Sequence, residues 1–315
     1  MSVIAPAAPD VVGRPSPRVA GLDVLRGVAI ALVMLRHAVP ALFPGAGVVG
    51  VVMFFTLSGF LITGLLTEEF ARAGGVRLGD FYRRRVVRLA PALVVLVAGY
   101  VLVTVTWDPL GERSAVAETV LVALTWTGNL PLWSASPAMF HLWTLATEEQ
   151  FYLLWPTVLL LGLRRGRAGW AAAAAAAAAL IGCLATLVWL HDAPDLAYAL
   201  PTSWAVCFVI GGATRLAVGV SAGTVDRRPA RPGWRTLAPW VAGAVLALLS
   251  VLPVRGSALT YLVVGPVVSA ATAATVIAAL RFREVSTAPA RAFAALGVVS
   301  YGAYLWNYPL TLWLR

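Results

Sequence analysis

The chain has 315 residues, of which 60% are hydrophobic and 12% charged, about half the ~25% charged share of a soluble globular chain. With a mean hydropathy of +0.84, these values exclude a soluble domain, a disordered chain and a disulfide scaffold. They point to an all-α polytopic transmembrane bundle. The net charge is +10 and every basic residue is Arg; because the arginines cluster in short loops between apolar runs, they read as a positive-inside pattern and not as a nucleic-acid footprint.

Residues 1–20 are rich in Pro and Ala and lack the apolar core of a cleavable signal, so they read as a cytoplasmic N-terminal tail. Apolar runs then predict spans at roughly 22–42, 47–67, 89–106, 145–163, 169–190, 198–219, 237–252, 258–280 and 295–314. Segment 114–131 is apolar but carries Glu118, Thr119, Thr125, Thr127 and Asn129. Charge decides its reading. If it does not cross, Arg14 and Arg18, the arginines of the 72–88, 164–167 and 215–235 stretches, and those of 281–291 all share one side, 19 of 24. Only Arg113 and Arg255 fall clearly opposite. That gives nine spans, a cytoplasmic N-terminus and 114–131 as an outer or re-entrant segment; ten spans, with 114–131 crossing, is the alternative. Cys183 and Cys207 sit inside apolar segments as small packing residues, and no Cys/His spacing fits a metal.

Ionisable groups inside apolar spans are costly and mark function. The first span holds Arg26, Arg36 and His37. Arg26 and His37 are eleven residues apart, which puts them about 20° apart on one helix face and ~16 Å apart along the axis. Snorkelling of Arg26 to headgroups and a structural role for His37 are the plainer readings. In FFTLSGFLIT, Ser58 and Gly59 read as close-packing residues. Arg83, Arg84, Arg85 and Arg88 precede a span starting near Leu89; they serve topology and lipid contact, or bind a polyphosphate through forked hydrogen bonds. In HLWTLATEEQFYLLWP, Glu148 and Glu149 enter a span directly. Thr144 or Thr147 could cap that helix and place the carboxylates at its positive end. On the nine-span topology this helix starts on the outer side, as His37 does, so a carboxylate and an imidazole can meet there as orienter and base. The aromatics of SYGAYLWNYPL read largely as an interfacial belt, with Asn307 a polar contact.

Together these stretches resemble membrane acyltransferase family 3, the integral-membrane O-acyltransferases. Arg26 and His37 look like its arginine, ten residues, histidine signature. FFTLSGFLIT, FYRRRVVRLAP, HLWTLATEEQFYLLWP and SYGAYLWNYP resemble its later motifs, in order, from about residue 20 to the end; Asn307 stands where the late motif usually has histidine. The resemblance implies a membrane acyltransferase domain over 21–315 and transfer of an acyl group, most often acetyl, from acyl-CoA to a hydroxyl of a saccharide or glycosylated metabolite. It implies His37 as base or acyl carrier, with Glu148 or Glu149 beside it, and Arg26, Arg83, Arg84, Arg85 and Arg88 toward the acyl-CoA. No metal is implied, and the partners are membrane lipids, acyl-CoA and the acceptor. The family usually continues with another helix, so the chain also reads as a shortened member. A transporter or flippase of a lipid or glycan intermediate, and a non-catalytic scaffold, are the competing functions.

Overall fold

The computed structural model describes residues 19–130, 135–219 and 234–315. The N-terminal tail with Arg14 and Arg18, and Arg227, Arg228 and Arg231, lie outside the described residues. Within them the chain is all-helical, without a strand: α1 Ala20–Ala38, α2 Ala46–Ala73, α3 Leu78–Thr106, α4 Val116–Thr125, α5 Trp143–Arg164, α6 Ala168–Trp189, α7 Pro201–Val218, α8 Trp234–Val251, α9 Gly265–Ala279, α10 Ala288–Val298 and α11 Ser300–Trp313. The nine-alanine run sits inside α6, where a strong helix former needs no packing to stay helical. Pro201 opens α7, where its missing N–H costs nothing. One π-helical turn, Thr260–Val264, leads into α9.

Five of these stretches are long and apolar enough to cross a membrane: Ala46–Ala73, Leu78–Thr106, Ala168–Trp189, Pro201–Val218 and Thr260–Ala279. At 1.5 Å per residue α2 and α3 reach about 42 and 44 Å, well beyond the ~30 Å hydrocarbon layer. Their adjoining ends, bearing Glu68, Glu69 and Arg72 on α2 and Arg83 to Arg88 on α3, therefore extend past an apolar slab. The arginine motif is thus helical and not a loop: it forms the second and third turns of α3. The run at 295–314 is also corrected. It is broken at Val299 into α10 and α11. Among its described residues, segment 114–131 holds the end of a 3-10 turn, Arg113–Ala115, and the ten-residue α4, about 15 Å long.

Contacts fix the relative directions. Ser58 meets Glu148 and Thr63 meets Trp155, so α2 and α5 run parallel. Tyr82 reaches the carbonyls of Tyr152 and Leu153, and Arg85 reaches Glu149, so α3 is antiparallel to α5. Arg26 meets Ser300 and His37 meets Asn307, so α1 and α11 run parallel.

Two close crossings hold the site's walls together. A Cβ on Gly27 of α1 would lie 1.9 Å from the Phe293 carbonyl oxygen, and one on Gly297 of α10 would lie 1.8 Å from that of Asp23. Gly59 and Gly211 relate α2 and α7 the same way, 1.9 Å from Phe208 O and 2.0 Å from Thr56 O. Only glycine permits such backbone approach. Beside the second crossing, Phe55, Phe151 and Phe208 stack with centroids 4.4 and 4.5 Å apart, in a core that also buries Trp143 and Trp204.

Candidate active site

Helices α1, α2, α3, α5 and α11 enclose a cavity of about 390 Å³. Much of its lining is apolar, with Phe54, Phe55, Leu61 and Leu145 among the residues. Its polar side gathers Arg26 from α1, Ser58 from α2, Arg84, Arg85 and Arg88 from α3, Glu148, Glu149 and Tyr152 from α5, and Ser300, Tyr301 and Tyr304 from α11. The 3.6-residue repeat explains the α3 group: residues 84, 85 and 88 share a face. Arg83 is exposed and does not line the cavity.

The carboxylates are tied into an interlocked network. Arg85 donates to Glu149 Oε1 at 2.7 Å, and the pair is largely buried. The Arg85 guanidinium lies 3.6 Å over the ring of Tyr152. Tyr152 donates its hydroxyl hydrogen to Glu148 Oε1, and Ser58 donates to the same oxygen at 2.5 Å. Arg84 pairs with Glu69 at 3.5 Å. Arg26 donates to Ser300 Oγ at 3.1 Å. Among the described residues, neither Arg26 nor Arg88 has a carboxylate within 4 Å. The buried Nε atoms of Arg26 and Arg85 have no hydrogen-bond partner. Four guanidinium groups thus face two cavity carboxylates, and low-dielectric walls strengthen their field. Such a surplus suits a polyanionic guest.

His37 does not line this cavity. Its Nδ1 lies 2.5 Å from Asn307 Oδ1, its ring centroid is 4.9 Å from that of Tyr308, and its carbonyl accepts from Arg315. The expected meeting of His37 with Glu148 or Glu149 is therefore corrected. Glu149 turns to Arg85 of α3 and Glu148 to Ser58 of α2, because both carboxylates stand more than a turn into α5. Nor do Thr144 and Thr147 cap α5. The helix has no side-chain cap; Thr144 donates to the Tyr304 hydroxyl at 2.6 Å, and Thr147 accepts from Asn129.

Three features were missed in the sequence. Ser58 faces Glu148, while its neighbour Gly59 makes the close packing contact. His141 is buried beside the same tyrosines, 5.6 Å from the rings of Tyr304 and Tyr308, with Nε2 3.0 Å from the Leu305 carbonyl. The third is α11 itself. Ser300, Tyr301, Tyr304, Asn307 and Tyr308 fall at i, i+1, i+4, i+7 and i+8, a single stripe. That spacing was available as a signal, and it separates these residues from an interfacial belt. The stripe runs from Arg26 at one end to His37 at the other. Between them Tyr304 donates to the His141 carbonyl at 2.9 Å while its ring lines the cavity.

Comparison with known proteins bears on this geometry. The family described as an acyltransferase domain matches residues 19–315. O-acetyltransferase OatA of Staphylococcus aureus strain NCTC 8325 is 37% identical over 159 residues, which are 48% of this chain and 26% of that protein. A putative O-acetyltransferase of Staphylococcus aureus strain COL is 35% identical over 149 residues, 44% of this chain and 24% of the relative. The matched part is thus about a quarter of either relative. No solved structure matches.

Proposed function

The chain belongs to acyltransferase family 3, and on that premise we propose that it is an integral-membrane O-acyltransferase moving an acyl group, acetyl by analogy with its relatives, from acyl-CoA to a hydroxyl of a sugar, glycan or natural product. The single observation that carries the donor assignment is the arginine-rich cavity. Arg26, Arg84, Arg85 and Arg88 converge on it, facing Glu148 and Glu149 in the lining, with Glu69 beside Arg84. Guanidinium forks match phosphate oxygens, and Arg26 and Arg85, each with a buried Nε that has no hydrogen-bond partner, favour an anionic guest, with Arg84 and Arg88 exposed beside them.

In this reading Arg84, Arg85 and Arg88 hold the phosphates of the donor at the cavity's charged end. Arg26 receives the arm that bears the thioester. Glu149 and Glu148 keep Arg85, Tyr152 and Ser58 in place and limit the net charge. His37 takes the proton of the acceptor hydroxyl as its oxygen attacks the thioester carbonyl. The C–S bond then breaks, and the departing thiolate takes up the proton that His37 had accepted, leaving as free coenzyme A and restoring the neutral imidazole. An alternative course through a transient acyl-imidazole on His37 uses the same residues. Tyr304 stands between the cavity and His37, and the stripe on α11 forms the wall along which the thioester end approaches.

We place the protein in the cell membrane with its N-terminus cytoplasmic and nine crossings. The directions support this count. If α3 and α5 are antiparallel neighbours, the segment between them does not cross. If α1 and α11 are parallel and both cross, the total is odd. The Arg84–Arg88 end then faces the cytoplasm, where acyl-CoA is made, and His37 faces outward.

Purified protein in proteoliposomes tests the reading. Labelled acetyl-CoA added on the arginine side should bind, and label should reach saccharide hydroxyls. Absence of both binding and transfer at millimolar acetyl-CoA would overturn it.

A further inference from the structure

We propose that Asn307 is the positioning residue of His37, fixing its tautomer and aiming one nitrogen at the acceptor. The inference rests on the function proposed above and adds a role for a residue outside the donor cavity. An amide oxygen only accepts hydrogen bonds. The 2.5 Å contact from Asn307 Oδ1 therefore places the ring hydrogen on Nδ1 of His37. In a neutral imidazole the lone pair is then on Nε2, the nitrogen turned away from Asn307. A general base needs its lone pair in one defined direction.

The charged groups facing His37 are Arg36 of its own helix and Arg315 beyond α11, both cationic, and Tyr308 and His141 complete the ring cluster. No carboxylate among the described residues lies within ion-pair distance of it. An amide is thus the one strong acceptor on Nδ1, and it orients the ring without stabilising an imidazolium as a carboxylate would. Asn307 sits one turn beyond Tyr304 on the α11 stripe, so the helix that walls the donor cavity also sets the base. His37 and Asn307 are joined across 270 residues of chain, which is why neither motif shows the pairing.

Three variants decide the matter, read as coenzyme A thiol release from acetyl-CoA in the presence of saccharide acceptors. Asn307→Leu keeps the shape and removes the acceptor. Asn307→Asp keeps the acceptor. Positioning predicts that Leu lowers kcat at least tenfold, within the ~10²–10⁴-fold that a general base contributes, with acetyl-CoA Kd unchanged. It predicts that Asp stays within about tenfold of the wild-type protein, a span that corresponds to about 1.4 kcal/mol. A packing role predicts the reverse, since Leu is tolerated and a buried carboxylate is not. If the amide is instead turned, with Nδ2 donating to the ring, Asp loses activity, and the inference fails. His37→Ala separates the two readings. If it loses transfer while Asn307→Leu does not, the positioning role is wrong and the proposed function stands; if wild-type protein neither binds nor transfers, the proposed function fails first. Should Asn307→Leu not fold, the Asp variant alone decides, retention supporting the role and loss refuting it.

Discussion

Arg88 and Arg83 are five residues apart on α3, about 140° around the helix, and of the two only Arg88 lines the cavity. Replacing each by Gln removes the same charge from the same helix, so membrane insertion and long-range attraction change alike. Donor binding should not. A charge-assisted hydrogen bond to phosphate contributes roughly 1.5–3 kcal/mol, or about ten- to 150-fold in Kd. Arg88 is exposed at the cavity mouth, where solvent screening pulls the effect toward the lower end. Arg88→Gln should therefore weaken acetyl-CoA binding about tenfold. Arg26 is half-buried and bonded to Ser300 and meets the uncharged arm, not the phosphates, so Arg26→Gln should also stay near the lower end. Arg83→Gln should leave Kd within twofold or so. The assay is calorimetric titration of acetyl-CoA into each variant in detergent, on protein whose helical circular dichroism matches wild type. Equal weakening by Arg83→Gln and Arg88→Gln would refute the reasoning. The arginines would then act as a diffuse basic patch, as in lipid contact, and the cavity would not be the donor site.

Three further outcomes are expected. His37→Ala should lower transfer by ~10²–10⁴-fold while leaving acetyl-CoA affinity unchanged, because His37 lies outside the cavity; equal losses in turnover and in calorimetric affinity would contradict the separation of the two sites. Gly27→Val should sharply reduce the yield of monodisperse protein, since its Cβ would sit 1.9 Å from the Phe293 carbonyl, whereas Gly302→Val, where a Cβ meets nothing within 4 Å, should be tolerated; size-exclusion profiles compare them. Single cysteines at Pro40 and Leu314 should label from the same face of intact cells, and one at Arg77 from the other; opposite labelling of the first two would break the odd crossing count.

The arginine tally, the apolar run lengths and the spacing of Arg26 and His37 were legible in the sequence, because charge asymmetry and helical period are local properties of the chain. They point to an all-helical membrane protein and to a set of residues of which Arg26, Arg84, Arg85, Arg88, Glu148 and Glu149 line one cavity, while His37 and Arg83 lie outside it. Local signals could not say which charges partner which. Glu148 and Glu149 were read toward His37 because the nine-span reading puts both at the outer end of their helices, yet α3 packs against α5 on the arginine side and Arg85 claims Glu149. Ser58 was read as packing because its partner is ninety positions away. The break at Val299 leaves no proline or glycine at that position. It follows from α10 crossing α1 at Gly27 and Gly297 while α11 stands alongside α1. Sequence determined which residues are too polar to face lipid. Only tertiary packing determined where each of them turned, since a buried charge is stable beside whichever counterpart the helix directions bring within reach.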